Sequence, residues 1–76
     1  MLQKKFTAQP LYVQLREALT RRIATGEWPP GEAIPNEIAI GREFGLSAGT
    51  VRKALDWMEQ ARLVSRQQGR GTFVID

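Results

Sequence analysis

The sequence predicts an α+β domain that is mainly α: three helices followed by a two-stranded β-hairpin. Three observations carry this expectation. Leu11, Leu15, Leu19 and Ile23 recur every four residues, with Ala18 beside them, as one apolar stripe. Val51, Ala54, Leu55 and Met58 fall at i, i+3, i+4 and i+7 and share one face of a later helix. After them, "LVSRQQGRGTFVI" sets two β-rich runs on either side of a glycine-containing turn.

The chain has 76 residues, enough for one small domain. A domain of this size buries only about 60 % of its unfolded surface, so its core must be used fully. It has no cysteine and no histidine. Disulfides and thiolate metal sites are thereby excluded, and so are the commonest general base and the commonest metal ligand. Clustered carboxylates on one face are also lacking, so the sequence gives no acid–base pair and argues against an enzyme. No cofactor is expected. No apolar run approaches the ~20 residues of a membrane span, and residues 1–10 have no signal-peptide core, so a soluble, cytoplasmic domain without a membrane partner is expected. The net charge of +3 is mild. Its distribution is more telling: from Gln60 through Ile75 there are Arg62, Arg66 and Arg70 and no acid. A local basic surface of that kind suits a polyanion.

Residues 1–9 carry no periodic signal and are expected to form a flexible arm, with the domain over 10–76. Pro10 fits the first turn of the first helix, where its missing N–H is not needed. Arg21 and Arg22 near the end of that helix complement its dipole, and Gly26 can stop it in a left-handed conformation. "GEWPPGEAIP" is then a rigid irregular connection, with Trp28 as a lid on the core and Ile34 in a very short strand. Asn36 is the N-cap of a second helix over 37–44, with Glu37 in its favourable first turn and Ile40 and Phe44 inward. Gly41 in mid-helix costs about 1 kcal/mol against alanine, which close approach of the next helix would explain. Gly45-Leu46-Ser47 is a tight turn, and Ser47 caps a third helix from Ala48 to about Ala61. Leu63-Val64 and Phe73-Val74-Ile75 supply the strands, with Gln68 to Gly71 as the turn.

Helix, helix, short turn, helix and hairpin is the order of a winged helix-turn-helix. Ser47, Ala48 and Gly49 have little bulk, so the start of the third helix can approach the floor of a DNA major groove. Its unpaired N–H groups favour a phosphate. Arg52 and Lys53 follow within reach of bases or backbone. Gly69 and Gly71 flank Arg70, which makes a thin cationic tip suited to a minor groove, and Gln67, Gln68 and Thr72 can contact phosphates beside it. The candidate DNA-binding residues are Asn36 and Glu37 at the second helix; Ser47, Ala48, Gly49, Thr50, Arg52 and Lys53 at the third; and Arg66, Gln68, Gly69, Arg70, Gly71 and Thr72 on the hairpin. Plain structural roles stand beside these. Ser47 and Thr50 also read as a helix cap, Arg52 and Lys53 as a solvated face, and the glycines as a turn requirement. The DNA reading gains force because these residues of the third helix and the hairpin fall on two adjoining elements.

At these residues the sequence resembles the N-terminal DNA-binding domain of the GntR family of bacterial transcription regulators. "PLYVQL", "G.WPPG..IP.E", "TVRKAL" and "QGRGTFV" carry the likeness, in this order and spacing, over nearly the whole chain from Pro10. "PLY" resembles the HutC-type and YtrA-type branches, and "QGRGTFV" favours the HutC-type. The resemblance implies a winged helix that binds double-stranded, palindromic operator DNA as part of a dimer, usually as a metabolite-responsive repressor. It implies that residues 47–52 read the major groove and that the wing at residues 69–71 enters the minor groove. It also implies a C-terminal effector-binding and dimerising domain beyond Asp76. Three positions depart from the family pattern. Ala48 stands where an arginine is frequent, which moves specificity toward Arg52, Lys53 and the backbone. Ile38 stands where a polar or basic contact is frequent, and either meets a thymine methyl or packs. Arg62 stands where glycine or asparagine usually ends the third helix.

Two rival functions have their own signatures. A winged-helix protein–protein interaction module predicts an exposed apolar patch on the third helix, for which Trp57 is the one candidate; its expected packing is against the hairpin or the first helix. An amino-terminal part of a larger pyridoxal-phosphate-dependent regulator would bind that cofactor elsewhere, since no residue here suits it.

Overall fold

The computed structural model describes residues 9–76, so the expected arm lies, except for Gln9, outside the described residues. The elements are α1 (Leu11–Ala24), β1 (Ala33–Ile34), α2 (Glu37–Phe44), α3 (Ala48–Gln60), β2 (Val64–Gln67) and β3 (Gly71–Val74). Pro10 sits one residue before the position expected of it, as the N-cap of α1. Its carbonyl still accepts from the Val13 and Gln14 amides, so its fixed φ starts the helix from outside. Gly26 follows the C-cap of α1 with φ +85° and donates to the Ile23 carbonyl, ending the helix as expected.

Ile34 does form a strand, and that strand changes the sheet. β1 pairs antiparallel with β3, so the order is β1-β3-β2 and the hairpin becomes a three-stranded sheet. The register sets Ile34 opposite Thr72, and Arg66 opposite Thr72 from the other side. Leu63, expected in a strand, stands just before β2, where its amide closes the end of α3 and its carbonyl receives the Ile75 amide. Gly71, expected in the turn, is the first residue of β3 and pairs with Gln67. The loop is thus Gln68-Gly69-Arg70, closed by an Arg70 amide to Gln67 carbonyl bond of 2.9 Å.

Every element contributes to one core. Leu15 and Leu19 of α1, Ile34 of β1, Ile40 of α2, Val51, Ala54, Leu55 and Met58 of α3, Val64 of β2 and Val74 of β3 are all buried. The two apolar stripes read from the sequence therefore face each other, α1 against α3. Leu11, Ala18 and Ile23 lie at the half-buried edges of their stripe. Trp28 and Phe44 pack against the core from outside, Trp28 as the expected lid.

The angle between α2 and α3 is fixed at Gly41. An added Cβ there would stand 2.8 Å from the Leu46 carbonyl oxygen, while Val51 of α3 would be at an ordinary 3.8 Å. The close approach that demands glycine is thus made by the backbone of the turn, rather than by the next helix as expected. Gly45, the C-cap of α2 with φ +69°, turns the chain.

Candidate nucleic-acid interface

The site is built from the start of α2, the first turns of α3 and the β2–β3 wing. Ser47 has extended backbone geometry and caps α3: its hydroxyl accepts from the Thr50 amide at 3.2 Å and donates to Thr50 Oγ1 at 3.1 Å. That satisfies one of the amides a helix start leaves unpaired. The first turn of α3 contains no acid, so the positive end of its dipole is not neutralised by its own sequence. Ala48 and Gly49 are exposed beside the cap. An added Cβ at Gly49 would meet only Ser47 Oγ, at 4.0 Å. Folding therefore does not require glycine at 49, where it costs about 1 kcal/mol of helix stability against alanine.

Asn36 performs the capping role expected of it, its Oδ1 accepting from the Ala39 amide at 2.9 Å. Glu37 joins three elements. Its Oε1 accepts from Arg52 Nη2 of α3 at 3.3 Å and its Oε2 from Arg66 Nη2 of β2 at 2.7 Å. Arg66 also donates to Asp56 and lies 3.9 Å from Glu59. Burial pushes the Arg66 guanidinium pKa down, but its hydrogen bonds to Asp56 and Glu37 outweigh this and the net direction is up. Arg66 is thus a strut between wing and helices, with three carboxylates around its guanidinium. Arg52 differs: its side chain is 58 % exposed and holds Glu37 by one long bond. A cation so placed is pre-oriented and still able to reach outward.

Lys53 is exposed, with its ammonium 4.5 Å from the centre of the Tyr12 ring of α1. Gln68, Gly69 and Arg70 form the exposed wing tip, with φ of +77° at Gly69 and +127° at Gly71. Thr72 is half-buried in the middle strand, below the tip. The structure accordingly brings Glu37, Arg52 and Arg66 into one ion-pair network and joins Ser47 to Thr50. It keeps Arg70 at the far end of the wing.

Two features escaped sequence reasoning. Arg22, read only as a dipole partner, makes a two-pronged contact with Glu43 of α2, one prong at 3.0 Å from Nη1 to Oε1. Its guanidinium also lies over Trp28 and Phe44, at 5.3 and 5.0 Å. That hydrogen bond, from the Arg22 guanidinium, lowers the Glu43 pKa against a smaller opposing effect of burial. Arg42, exposed in the last turn of α2, lines the same groove as Ala48, and no sequence motif points to it. The contacts lie 21 residues apart for Arg22–Glu43 and 29 for Arg66–Glu37, and no local pattern signals them. Trp57 takes the first helix of its two expected neighbours, with Arg16 stacked 4.0 Å from its ring centre.

Comparison with known proteins places these features. The family profile of bacterial regulatory proteins of the gntR family matches residues 11–74. The chain belongs to the GntR family. It is 42 % identical over 66 residues to the mannosyl-D-glycerate transport/metabolism system repressor MngR of Escherichia coli, covering 87 % of this chain and 28 % of that protein. It is 36 % identical over 67 residues to the histidine utilization repressor of Pseudomonas putida, covering 88 % and 27 %. The chain thus spans under a third of the length of these curated relatives. Among solved structures, AraR(DBD) in complex with operator ORX1 superposes with a TM-score of 0.89 at 33 % identity, over 97 % of this chain and 92 % of that one. This GntR-family chain therefore has the winged-helix DNA-binding fold. No helix among its described residues is long and apolar enough to cross a membrane.

Proposed function

We propose that this GntR-family domain binds operator DNA sequence-specifically and serves a bacterial transcription repressor, with α3 in the major groove and the β2–β3 wing in the minor groove. The observation that carries the reading is the start of α3. There a capped helix presents Ala48 and Gly49 at the surface, has no acid in its first turn and is followed by the exposed Arg52. Small residues permit approach, the dipole favours phosphate and arginine suits guanine. The likeness to AraR(DBD), whose structure contains an operator, supports the same docking. In this reading Arg70 enters or overlies the minor groove, Thr72 and Gln68 meet phosphates, and Arg66 orients the wing. Asn36, Glu37, Ser47 and Thr50 hold the reading surface in place while lying at its edge. The whole protein acts as a cytoplasmic homodimer on a palindrome through a C-terminal effector domain.

Fluorescence anisotropy with a palindromic duplex tests the reading. Because one domain grips one half-site without the reinforcement of a linked second domain, binding is expected to be weak. It should fall with salt by about 0.9 in the logarithmic slope for each phosphate neutralised. Absence of binding at low salt, or affinity indifferent to salt, would refute it.

A further inference from the structure

One apolar side chain at this surface has no part in the caps and ion pairs. Ile38, in the first turn of α2, is 63 % exposed, more than either of the other exposed large apolar side chains among the described residues, Trp57 and Ile75. Trp57 has Arg16 stacked on it, and Ile75 lies beyond β3, away from the start of α2 and α3. A lone exposed aliphatic residue is ordinary on a protein surface, so exposure alone assigns nothing. Its place does. Ile38 directly follows Glu37, which holds Arg52, and it lines an open groove of about 380 Å³ between α2 and the start of α3. Ala48, the first residue of α3, lines the same groove.

The chemistry of that groove is specific. Ile38 and Ala48 offer it only hydrocarbon, and a β-branched side chain has few rotamers to lose when it is covered. Gly41 and Leu46 line the same groove, and α2 lies so close to the Leu46 carbonyl there that a Cβ at Gly41 would stand 2.8 Å from it. Arg42, one turn beyond Ile38 and exposed, places a cation at the groove margin, which suits a phosphate. Of the groups on unmodified base edges in a major groove, the apolar one is the 5-methyl of thymine.

We propose that Ile38, with Ala48 beside it, is a specificity-determining contact that takes the 5-methyl group of one thymine in each half-site. This rests on the DNA-binding reading above and adds which base the α2–α3 groove selects. Its hydrophobic contact complements the polar reading by Arg52.

The test uses duplexes selected by the domain from a random pool. Each thymine is replaced in turn by deoxyuridine, which keeps its pairing and its O4 acceptor and removes only the methyl. For the wild type, one such replacement per half-site should weaken binding about fourfold, the worth of one buried methyl-sized group. Ile38→Ala should reduce that ratio to under about twofold at this position, the remainder coming from Ala48, and Ile38→Val should retain most of it. Ile38 is largely exposed, so both variants should fold, which circular dichroism checks. Equal deoxyuridine penalties in wild type and Ile38→Ala at every thymine would overturn the assignment while leaving the DNA reading intact. Loss of all wild-type binding at low salt would overturn the DNA reading itself, and this contact with it.

Discussion

Glu37 Oε2 accepts a hydrogen bond from Arg66 Nη2 across 2.7 Å, joining the first turn of α2 to the first half of the wing. The other carboxylate oxygen of Glu37 holds Arg52. One acid therefore sets the position of a cation on α3 and the orientation of the hairpin. The Arg66 side chain is only 23 % exposed, so its removal leaves the half-buried Glu37 with Arg52 alone and the exposed Asp56 to solvent.

Arg66→Met should lower stability by about 1–2 kcal/mol, between the values for exposed ion pairs and for hydrogen bonds to charged groups. In a domain of this size the Tm should fall by about 4–16 °C. Combining it with Glu37→Gln should do less damage than the sum of the two, because both remove one interaction. DNA binding should weaken with the salt slope unchanged. A slope reduced by about 0.9 would mean that Arg66 touches a phosphate directly.

Arg52 and Arg70 should separate in a binding panel. Arg52→Ala is expected to cost about 1–3 kcal/mol and to relax preference at one base pair per half-site. Arg70→Ala should weaken binding evenly across sequences, most where an A·T-rich tract narrows the minor groove. Both side chains are exposed, so melting temperatures should barely move. An Arg70→Ala variant that binds every duplex as the wild type does would remove the wing from the interface.

Two exchanges that remove or introduce glycine should differ in outcome. Gly41→Ala gains about 1 kcal/mol in helix propensity but drives a Cβ against the Leu46 carbonyl, and overpacking of this kind costs about 1–3 kcal/mol. It should destabilise or come out near neutral, never at the full propensity gain. Arg62 has φ +62° and is the one non-glycine residue with positive φ among the described residues. Its amide bonds the Glu59 carbonyl and that of Leu63 bonds Met58, so it occupies the left-handed position of a Schellman cap. Arg62→Gly should relieve about 1 kcal/mol of backbone strain and raise the Tm by about 4–8 °C. Thermal melts followed by circular dichroism decide both.

The Arg22–Glu43 contact predicts an acid-dependent loss of stability. Its hydrogen bond to Arg22 holds the Glu43 pKa below its ordinary value, so the folded state binds this proton less readily than the unfolded chain. The stabilisation is complete above the ordinary carboxylate value of about 4.3 and is lost as pH falls through the lower folded value. Glu43 is 45 % exposed, so solvent screening limits the effect to under about 1 kcal/mol. Wild type should melt a few degrees above Glu43→Gln at neutral pH, with the gap closing as pH falls below the ordinary carboxylate range. A gap that persists at pH 2 would assign the difference to packing.

The sequence by itself determined the periodic and the local features. The stripes at Leu15 and Leu19 and at Val51, Leu55 and Met58 are the core because period 3.6 leaves them no other common face. Asn36 and Ser47 cap because a side-chain oxygen next to a helix start meets unpaired amides at short range. Gly26 and the glycines of the wing follow from backbone sterics. Tertiary structure decided whatever depends on residues distant in the chain. Pairing of Ile34 with β3 turned a hairpin into a three-stranded sheet. Arg66 became a strut and Arg22 a tie because folding brought carboxylates to them from 29 and 21 residues away. Gly41 answers to the carbonyl of a turn five residues on, and Ile38 faces a groove that exists only once α2 lies against α3. Charge and size are written in the sequence, but whether a cation is spent on a neighbouring carboxylate or left facing outward is settled by distances that only the packed chain creates.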